Sequence, residues 1–320
     1  MKRISPFHHR VVGIIALALS TAAPGRAATY YVSHRAGDDS RSAAEARQVA
    51  TPWKTIQRAA TVMGSGDTCL IRAGTYRETV TPKTGQTFRN YDGEKVVVSG
   101  CDVVSPDGWT RHRGEVYKAS VTSAVYDVFV DRQYMDKARW PDADADVMRK
   151  KEWAPTINGG KRNAGWVEFE REPPADFVGG FYTGHNGKNA YNFNHGRISA
   201  QDGKRITVTH LNFRWRQGVA GHIGPGTGNI LDHLNCLTTA KEWHWEGKTL
   251  YLHAPGGGSP GRKQVETRVR LYGFDCSGRH SVRIRGLTFH GASLLLNGSN
   301  HCVVDGCTFR YVSPWGKHYY

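Results

Sequence analysis

Apolar and polar residues alternate near the end of the chain in a pattern that recurs after 20 residues. In residues 274–289 the alternation shifts by one position at Gly286, and residues 294–309 show the same order. A period of two predicts strands with one buried face. A repeat of this length predicts units that bury their apolar faces by stacking on one another. Identical residues at matched positions are Gly278 and Gly298, Gly286 and Gly306, Thr288 and Thr308, and Phe289 and Phe309.

Each repeat predicts two or three short strands joined by corners, because glycine adopts the backbone angles that a corner needs. About 20 residues suffice for one turn of a parallel β-helix, in which successive turns pair in parallel. Outside this coil we expect Arg285 to stack on Asp305 and His290 on Arg310. Leucine-rich repeats share the period and are the alternative, but their Leu-x-x-Leu-x-Leu-x-x-Asn pattern is missing.

The start of the chain predicts a cap for the coil. We expect a strand at residues 29–33, a short helix at 52–63 with Thr51 as its N-cap and Pro52 at its first position, and a second strand within 66–76. An open coil exposes apolar core and unpaired strand edges, and an amphipathic helix covers them.

The middle of the chain differs in character and predicts an inserted β-rich subdomain. Residues 242–252 alternate around a Glu-Gly-Lys turn, as a β-hairpin does. The predicted division is a signal peptide at 1–27, a cap with the first turns at 28–110, the inserted subdomain at 111–262, and coil repeats at 263–320.

The first 27 residues have the order of a secretory signal peptide: basic residues, the apolar run Val11 to Leu19, and then small residues. We therefore expect a secreted or periplasmic protein. The apolar run is too short for stable membrane insertion, and an uncleaved anchor is the alternative. Removing this segment lowers the formal charge from +15 to +11, because it contains four basic and no acidic residues. A basic exported protein attracts anionic polysaccharide, and the chain contains no nucleic-acid-binding motif.

Residues 29–78 contain the segments TYYVS, GDDS, TPWKTIQRAA and GDTCLIRAGTYRE. They resemble the N-terminal entry of secreted right-handed parallel β-helix proteins of the pectate-lyase-like superfamily. Within it, the branch with chondroitinase B, alginate lyases and several β-helix glycoside hydrolases is the most similar. The resemblance implies an all-β, right-handed parallel β-helix with an N-terminal capping helix and an inserted β-rich subdomain. It specifies the fold better than the reaction, because these segments belong to the cap and the turns.

One group of candidate catalytic residues lies on the outward row of the repeats and just beyond it. Strand spacing of about 5 Å along such a row suits an extended polymer. Cleavage of a uronic acid by elimination needs a base, a cation beside the carboxylate and an acid for the leaving oxygen. A ladder of solvated charges is the alternative. The candidates are Arg283, Arg285, Asp305, Arg310, Lys317 and His318.

An acidic run, Asp142, Asp144 and Asp146, is a candidate Ca²⁺ site, because Ca²⁺ prefers several oxygen ligands. A solvated loop is the alternative, and a pair of carboxylates for glycoside hydrolysis is another. Calcium is the only cofactor that the sequence suggests. The six cysteines are expected to pack mainly as small apolar residues, with one disulfide as the alternative.

Aromatic residues of the inserted region are candidates for binding sugar rings, namely Trp140, Trp243, Trp245 and Tyr251. Packing of the hairpin against the coil is the alternative role.

These observations predict a secreted protein that acts on an anionic polysaccharide, with β-elimination slightly favoured over glycosidic hydrolysis. A non-catalytic carbohydrate-binding or scaffold protein, or an inactive truncated fragment, is the alternative. Only two repeats precede the end at Tyr320, so we expect a C-terminally truncated chain. The oligomeric state and the polymer are left open.

Overall fold

The computed structural model describes residues 27–142, 153–159, 165–186, 192–209 and 225–312. The predicted signal peptide therefore lies almost wholly outside the described residues. Strands dominate the secondary structure, which confirms the all-β prediction. Among the described residues, no helix is both long enough and apolar enough to cross a membrane.

The first part of the chain forms short strands and one helix. The helix α1 spans Ile56–Val62. The strands are β1 (Thr29–Val32), β2 (Thr68–Ile71), β3 (Gly74–Tyr76), β4 (Thr87–Asn90) and β5 (Val96–Ser99). The helix packs against β1 and β2 through Ile56, Ala59 and Ala60, which are fully buried.

The helix begins four residues later than the sequence predicts. Thr55, and not Thr51, is the N-cap, and its side chain accepts a hydrogen bond from the Arg58 N–H. Trp53 precedes the helix in extended form, pairs with Val32 and fills the core. Burial of this large ring therefore overrides the signal for an earlier helix start.

The middle of the chain forms two larger sheets. Its strands are β6 (Cys101–Val103), β7 (Thr110–Arg113), β8 (Val116–Ser120), β9 (Asp127–Val130), β10 (Gln133–Lys137), β11 (Arg139–Trp140), β12 (Ala154–Gly159), β13 (Trp166–Phe169), β14 (Phe181–Asn186), β15 (Asn192–Asp202), β16 (Arg205–Thr209), β17 (Gly226–Leu231), β18 (Glu242–Glu246), β19 (Thr249–His253) and β20 (Val265–Arg268). One sheet has the order β6-β20-β9-β10-β18-β19-β8-β7. The other has the order β11-β17-β12-β13-β16-β15-β14 and closes on itself through β17 and β14. The predicted hairpin is present as β18 and β19.

The last part of the described chain returns to parallel strands, and the repeat sets their register. These strands are β21 (Tyr272–Asp275), β22 (Arg283–Arg285), β23 (Thr288–His290), β24 (Ser293–Leu295), β25 (Val303–Asp305) and β26 (Thr308–Arg310). Residues 20 positions apart pair directly, as Ile284 does with Val304 and Phe289 with Phe309. The predicted stacks of Arg285 on Asp305 and of His290 on Arg310 are confirmed.

Three parallel sheets result, with the orders β1-β2-β4-β22-β25, β3-β5-β23-β26 and β21-β24. Strands from before and after the middle region are direct neighbours in the first two of these sheets. Phe88, Phe274 and Phe289 pack edge to face in the core between them, with ring centroids 5.2 and 6.1 Å apart.

The cysteines contribute to packing. All six lie within the described residues, and none is in a disulfide. Cys69 and Cys276 belong to the core of the parallel sheets, and Cys302 and Cys307 pack against it. Burial raises the pKa of the Cys276 thiol to about 12, so it remains protonated at neutral pH.

Candidate functional site

A groove with a cavity of about 160 Å³ lies where the sheet β3-β5-β23-β26 meets β9, β10 and β20. The floor is one row of outward side chains, set by the parallel register. Val97 pairs with Thr75 and Thr288, and Thr288 pairs with Thr308. Residues flanking this row supply the charged and aromatic groups: Arg77, Lys95, Arg132, Glu266, His290, Arg310 and Tyr311.

The opposite wall is formed by the antiparallel sheet. Arg132 occupies the two-residue turn between β9 and β10, where Asp131 and Arg132 both have positive φ, 49° and 66°. Such a turn matches the twist of the strands that it joins. It places Arg132 at the edge of the groove.

The groove carries an excess of positive charge. Glu266 is the only carboxylate that lines it, is 3% exposed, and is ion-paired with Arg77 at 2.7 Å between Oε1 and Nη2. The Arg77 guanidinium also donates to the Cys101 carbonyl at 2.6 Å. Lys95, Arg132 and Arg310 are exposed, and none of them forms an ion pair with any described residue. These three cations are therefore available to an anionic ligand.

His290 lies among these cations and is 9% exposed. Its Nε2 has no hydrogen-bond partner in the described part of the chain, and its ring packs 4.7 Å from that of Phe129. Burial lowers the pKa of His290, and Arg132, Arg77 and Arg310 lower it further, while Glu266 opposes them. The imidazole is therefore neutral at neutral pH and able to accept a proton.

Of the six catalytic candidates, only Arg310 lines the groove. Arg283, Arg285 and Asp305 lie on β22 and β25, in a different parallel sheet, because the chain turns at Gly286 and Gly306. Arg285 and Asp305 form an exposed ion pair at 3.7 Å. Lys317 and His318 lie outside the described residues.

The aromatic candidates lie apart from the groove. Trp243 is completely buried, and its indole N–H donates to the Met135 carbonyl at 3.0 Å. Half-buried Trp140 packs on Phe169, and half-buried Tyr251 packs on His112, while Trp245 is half-buried on β18. Core packing thus accounts for Trp243 in this structure.

The acidic candidates are only partly within the described residues. Asp142 is exposed and accepts a hydrogen bond from the Thr238 hydroxyl at 2.7 Å. Asp144 and Asp146 lie outside the described ranges. Within those ranges, no group of three His, Cys, Asp or Glu side chains is arranged to hold a metal ion.

A buried carboxyl group lies near this loop. Glu242 is 2% exposed and pairs across β10 and β18 with Asp136. Burial raises the pKa of Glu242 to about 9, and Asp142 raises it further, while nearby backbone N–H groups offset only part of this increase. Glu242 is therefore protonated at neutral pH in the folded protein.

We expect Glu242→Gln to remove a pH-dependent loss of stability. In the unfolded chain this carboxyl ionises above its ordinary pKa of about 4.5, whereas in the folded protein it ionises only near pH 9. Between these values the group lowers the free energy of unfolding by up to about 1.4 kcal/mol per pH unit as pH rises. Urea denaturation at pH 5, 7 and 9 measures the effect.

The exposed Glu246 on the same strand offers a matched control, since Glu246→Gln removes the same charge without burial. The difference between Glu242→Gln and the wild type should grow from pH 5 to pH 9. Parallel stability profiles for the two proteins would contradict the assignment.

Comparisons with known proteins agree with this architecture. A solved structure described as a glycoside hydrolase superimposes with a TM-score of 0.61 over 82% of this chain and 51% of that chain, at 16% identity. A complex of XylC with xylose superimposes with a TM-score of 0.44 over 85% and 36%, at 17% identity. The uncharacterized protein YwoF of Bacillus subtilis (strain 168) is 35% identical over 83 residues, 24% of this chain and 17% of its own length.

No family model matches the chain. The chain spans about half of the length of the similar glycoside hydrolase and about a sixth of YwoF. At 16% identity, the similarity to the glycoside hydrolase establishes a shared fold.

The sequence analysis missed most of the groove. Arg77, Lys95, Arg132 and Glu266 carry no local motif that marks them as site residues, and His290 was noted only as a stacking position. One signal was present: the outward positions of each repeat fall in register, so any residue that flanks Thr288 or Thr308 lies on the same face.

Proposed function

We propose that this chain is a carbohydrate-active protein that binds an acidic segment of an extracellular polysaccharide in the cationic groove. The observation that carries the proposal is the set of three cations without ion-pair partners, Lys95, Arg132 and Arg310, around a neutral imidazole. Carboxylates and sulfates of polysaccharides are the complementary groups. The similar glycoside hydrolase structure supports a carbohydrate ligand.

We further propose that the three parallel sheets are turns of a right-handed parallel β-helix, as the sequence resemblance implies. The 20-residue register of β22 with β25 and of β23 with β26 supports it. In such a coil the groove runs along successive turns, and an extended polymer lies across them. Export through a cleaved signal peptide would bring the protein to extracellular polymers.

The reaction that this groove fits best is β-elimination at a uronic acid. The cations neutralise the uronate carboxylate, which acidifies the neighbouring C–H bond. His290 takes that proton, the electron pair forms a carbon–carbon double bond, and the glycosidic carbon–oxygen bond breaks. The leaving oxygen receives a proton from the imidazolium.

Hydrolysis is the second candidate, because the similar solved structure is described as a glycoside hydrolase. Hydrolysis by the common route uses two carboxyl groups that flank the scissile bond. The described groove lining supplies only Glu266, which is paired with Arg77. Elimination is therefore the preferred reaction.

Incubation of the full chain with alginate, chondroitin sulfate and pectate tests the proposal, with neutral xylan as a control. We expect new ultraviolet absorbance from unsaturated uronate ends with at least one acidic polymer. New reducing ends without this absorbance would favour hydrolysis. Binding without products would favour a binding protein, and no binding to any acidic polymer would contradict the proposal.

We expect His290→Gln to abolish elimination and to leave polymer binding within about threefold, because the amide cannot act as a base at neutral pH. Wild-type activity should persist below pH 6.5 and fall only at lower pH, since the pKa of His290 is lowered. A pH–rate profile measures this. An unchanged rate in His290→Gln would exclude His290 as the base.

A further inference from the structure

An exposed aromatic ring borders the groove. Tyr311 follows β26, is 44% exposed and lines the cavity. Its ring stacks on Tyr134 with centroids 5.8 Å apart and planes within 14°, and it packs 5.1 Å from Phe129 and 5.8 Å from His290. The ring is thus supported by other aromatic rings while much of its surface faces solvent.

The backbone of Tyr311 is held in an uncommon conformation. Its φ of 57° lies in the left-handed region, which residues with a side chain seldom adopt. The buried Arg268 guanidinium donates to the carbonyls of Tyr311 at 3.0 Å and of Val312 at 2.8 Å. Strained residues that the surrounding structure holds in place are concentrated at functional sites.

A network behind the ring fixes its position from the other side. Tyr134, on which Tyr311 stacks, donates a hydrogen bond to Asp127 at 3.4 Å. Asp127 is ion-paired with Arg268 at 3.2 Å. The same buried pair therefore supports both the backbone of Tyr311 and the ring beneath it.

We propose that Tyr311 forms a stacking subsite for one sugar ring of the bound polysaccharide, next to the cations that bind its acidic groups. The C–H face of a pyranose is apolar and packs flat on an aromatic ring, while its hydroxyl and acidic groups project sideways. Tyr311 would then fix where along the polymer the uronate meets Arg132, Arg310 and His290. This inference rests on the proposed function.

Binding of alginate, chondroitin and pectate oligosaccharides to three Tyr311 variants tests the subsite. Tyr311→Phe keeps the flat ring and should bind within twofold of the wild type. Tyr311→Leu keeps apolar packing on Phe129 but loses the flat face, and should bind about three- to tenfold more weakly, the size expected for one aromatic contact. Tyr311→Ala should match Tyr311→Leu.

Salt dependence separates stacking from charge. The loss in Tyr311→Leu should be the same at low and high salt, because it involves no charge, whereas losses from arginine variants shrink as salt screens them. Tyr91→Ala, which removes a half-buried ring beside Arg72, is the matched control and should leave affinity unchanged. Thermal melting establishes that each variant is folded.

The outcomes distinguish this subsite from the proposed function. Wild-type affinity in folded Tyr311→Leu would overturn the stacking subsite alone. Absence of wild-type binding to all three acidic oligosaccharides would overturn the proposed function as well. Loss of affinity in Tyr311→Phe as large as in Tyr311→Leu would also overturn the subsite, because it would assign the effect to the hydroxyl group.

Discussion

Replacing Arg132 and Arg310 together by alanine is expected to lower the affinity for the bound acidic polysaccharide by about 100-fold. Hydrogen bonds to charged groups contribute about 1.5–3 kcal/mol each, so each arginine accounts for about tenfold or more. Both side chains are exposed in the groove and form no ion pair with a described residue, so the ligand gains their full charge. Titration calorimetry at low and physiological salt measures the loss.

The matched control removes the same charge from another face. Arg283→Ala with Arg285→Ala changes the net charge equally, but these residues lie on β22 in a different parallel sheet. We expect this double variant to bind within about twofold of the wild type. If both double variants weakened binding equally, overall basicity and not the groove would explain the affinity.

Replacing Arg268 by alanine is expected to lower the free energy of unfolding by about 3–5 kcal/mol. Arg268 is 0% exposed and forms an ion pair with the buried Asp127 carboxylate. Without the guanidinium, this carboxylate remains in the core without its cationic partner. The carbonyls of Tyr311 and Val312 also lose their donors. Urea denaturation measures the change.

Arg270→Ala is the control for this prediction. Arg270 lies two residues away and is ion-paired with Asp102, but both side chains are partly exposed. Solvent screens such a pair, so we expect a loss of no more than about 1 kcal/mol. Similar losses for the two variants would show that burial of Arg268 does not determine its contribution.

The parallel strands could be predicted from the sequence because their information is local and repeated. Each apolar position of one repeat meets its counterpart 20 residues later, as Ile284 meets Val304, so the pattern alone sets the register. The hairpin at residues 242–252 could be predicted for a similar reason. Its alternation and turn lie within one short segment.

The groove could not be predicted in this way, because its residues come from distant segments. Arg77 and Glu266 form an ion pair only because β20 pairs with β6 and thereby meets the end of β3. Arg132 reaches the groove through a two-residue turn that lacks the usual glycine. Tertiary pairing, which no local pattern records, therefore creates the site.

The helix start and Trp243 show a second limit. Thr51 and Thr55 are both good capping residues, and burial of Trp53 decides between them. Trp243 lies on a strand whose alternation fits either an exposed subsite or a buried core position. Its complete burial in the structure follows from packing between sheets that the sequence pattern does not specify.

A crystal structure of the protein with an acidic oligosaccharide tests the central claim most directly. The account predicts the saccharide between β23, β26 and the turn at Arg132, with its acidic groups within hydrogen-bond distance of Arg132 or Arg310. A saccharide bound on the face of Arg283 and Arg285, or anywhere else outside this groove, would contradict it.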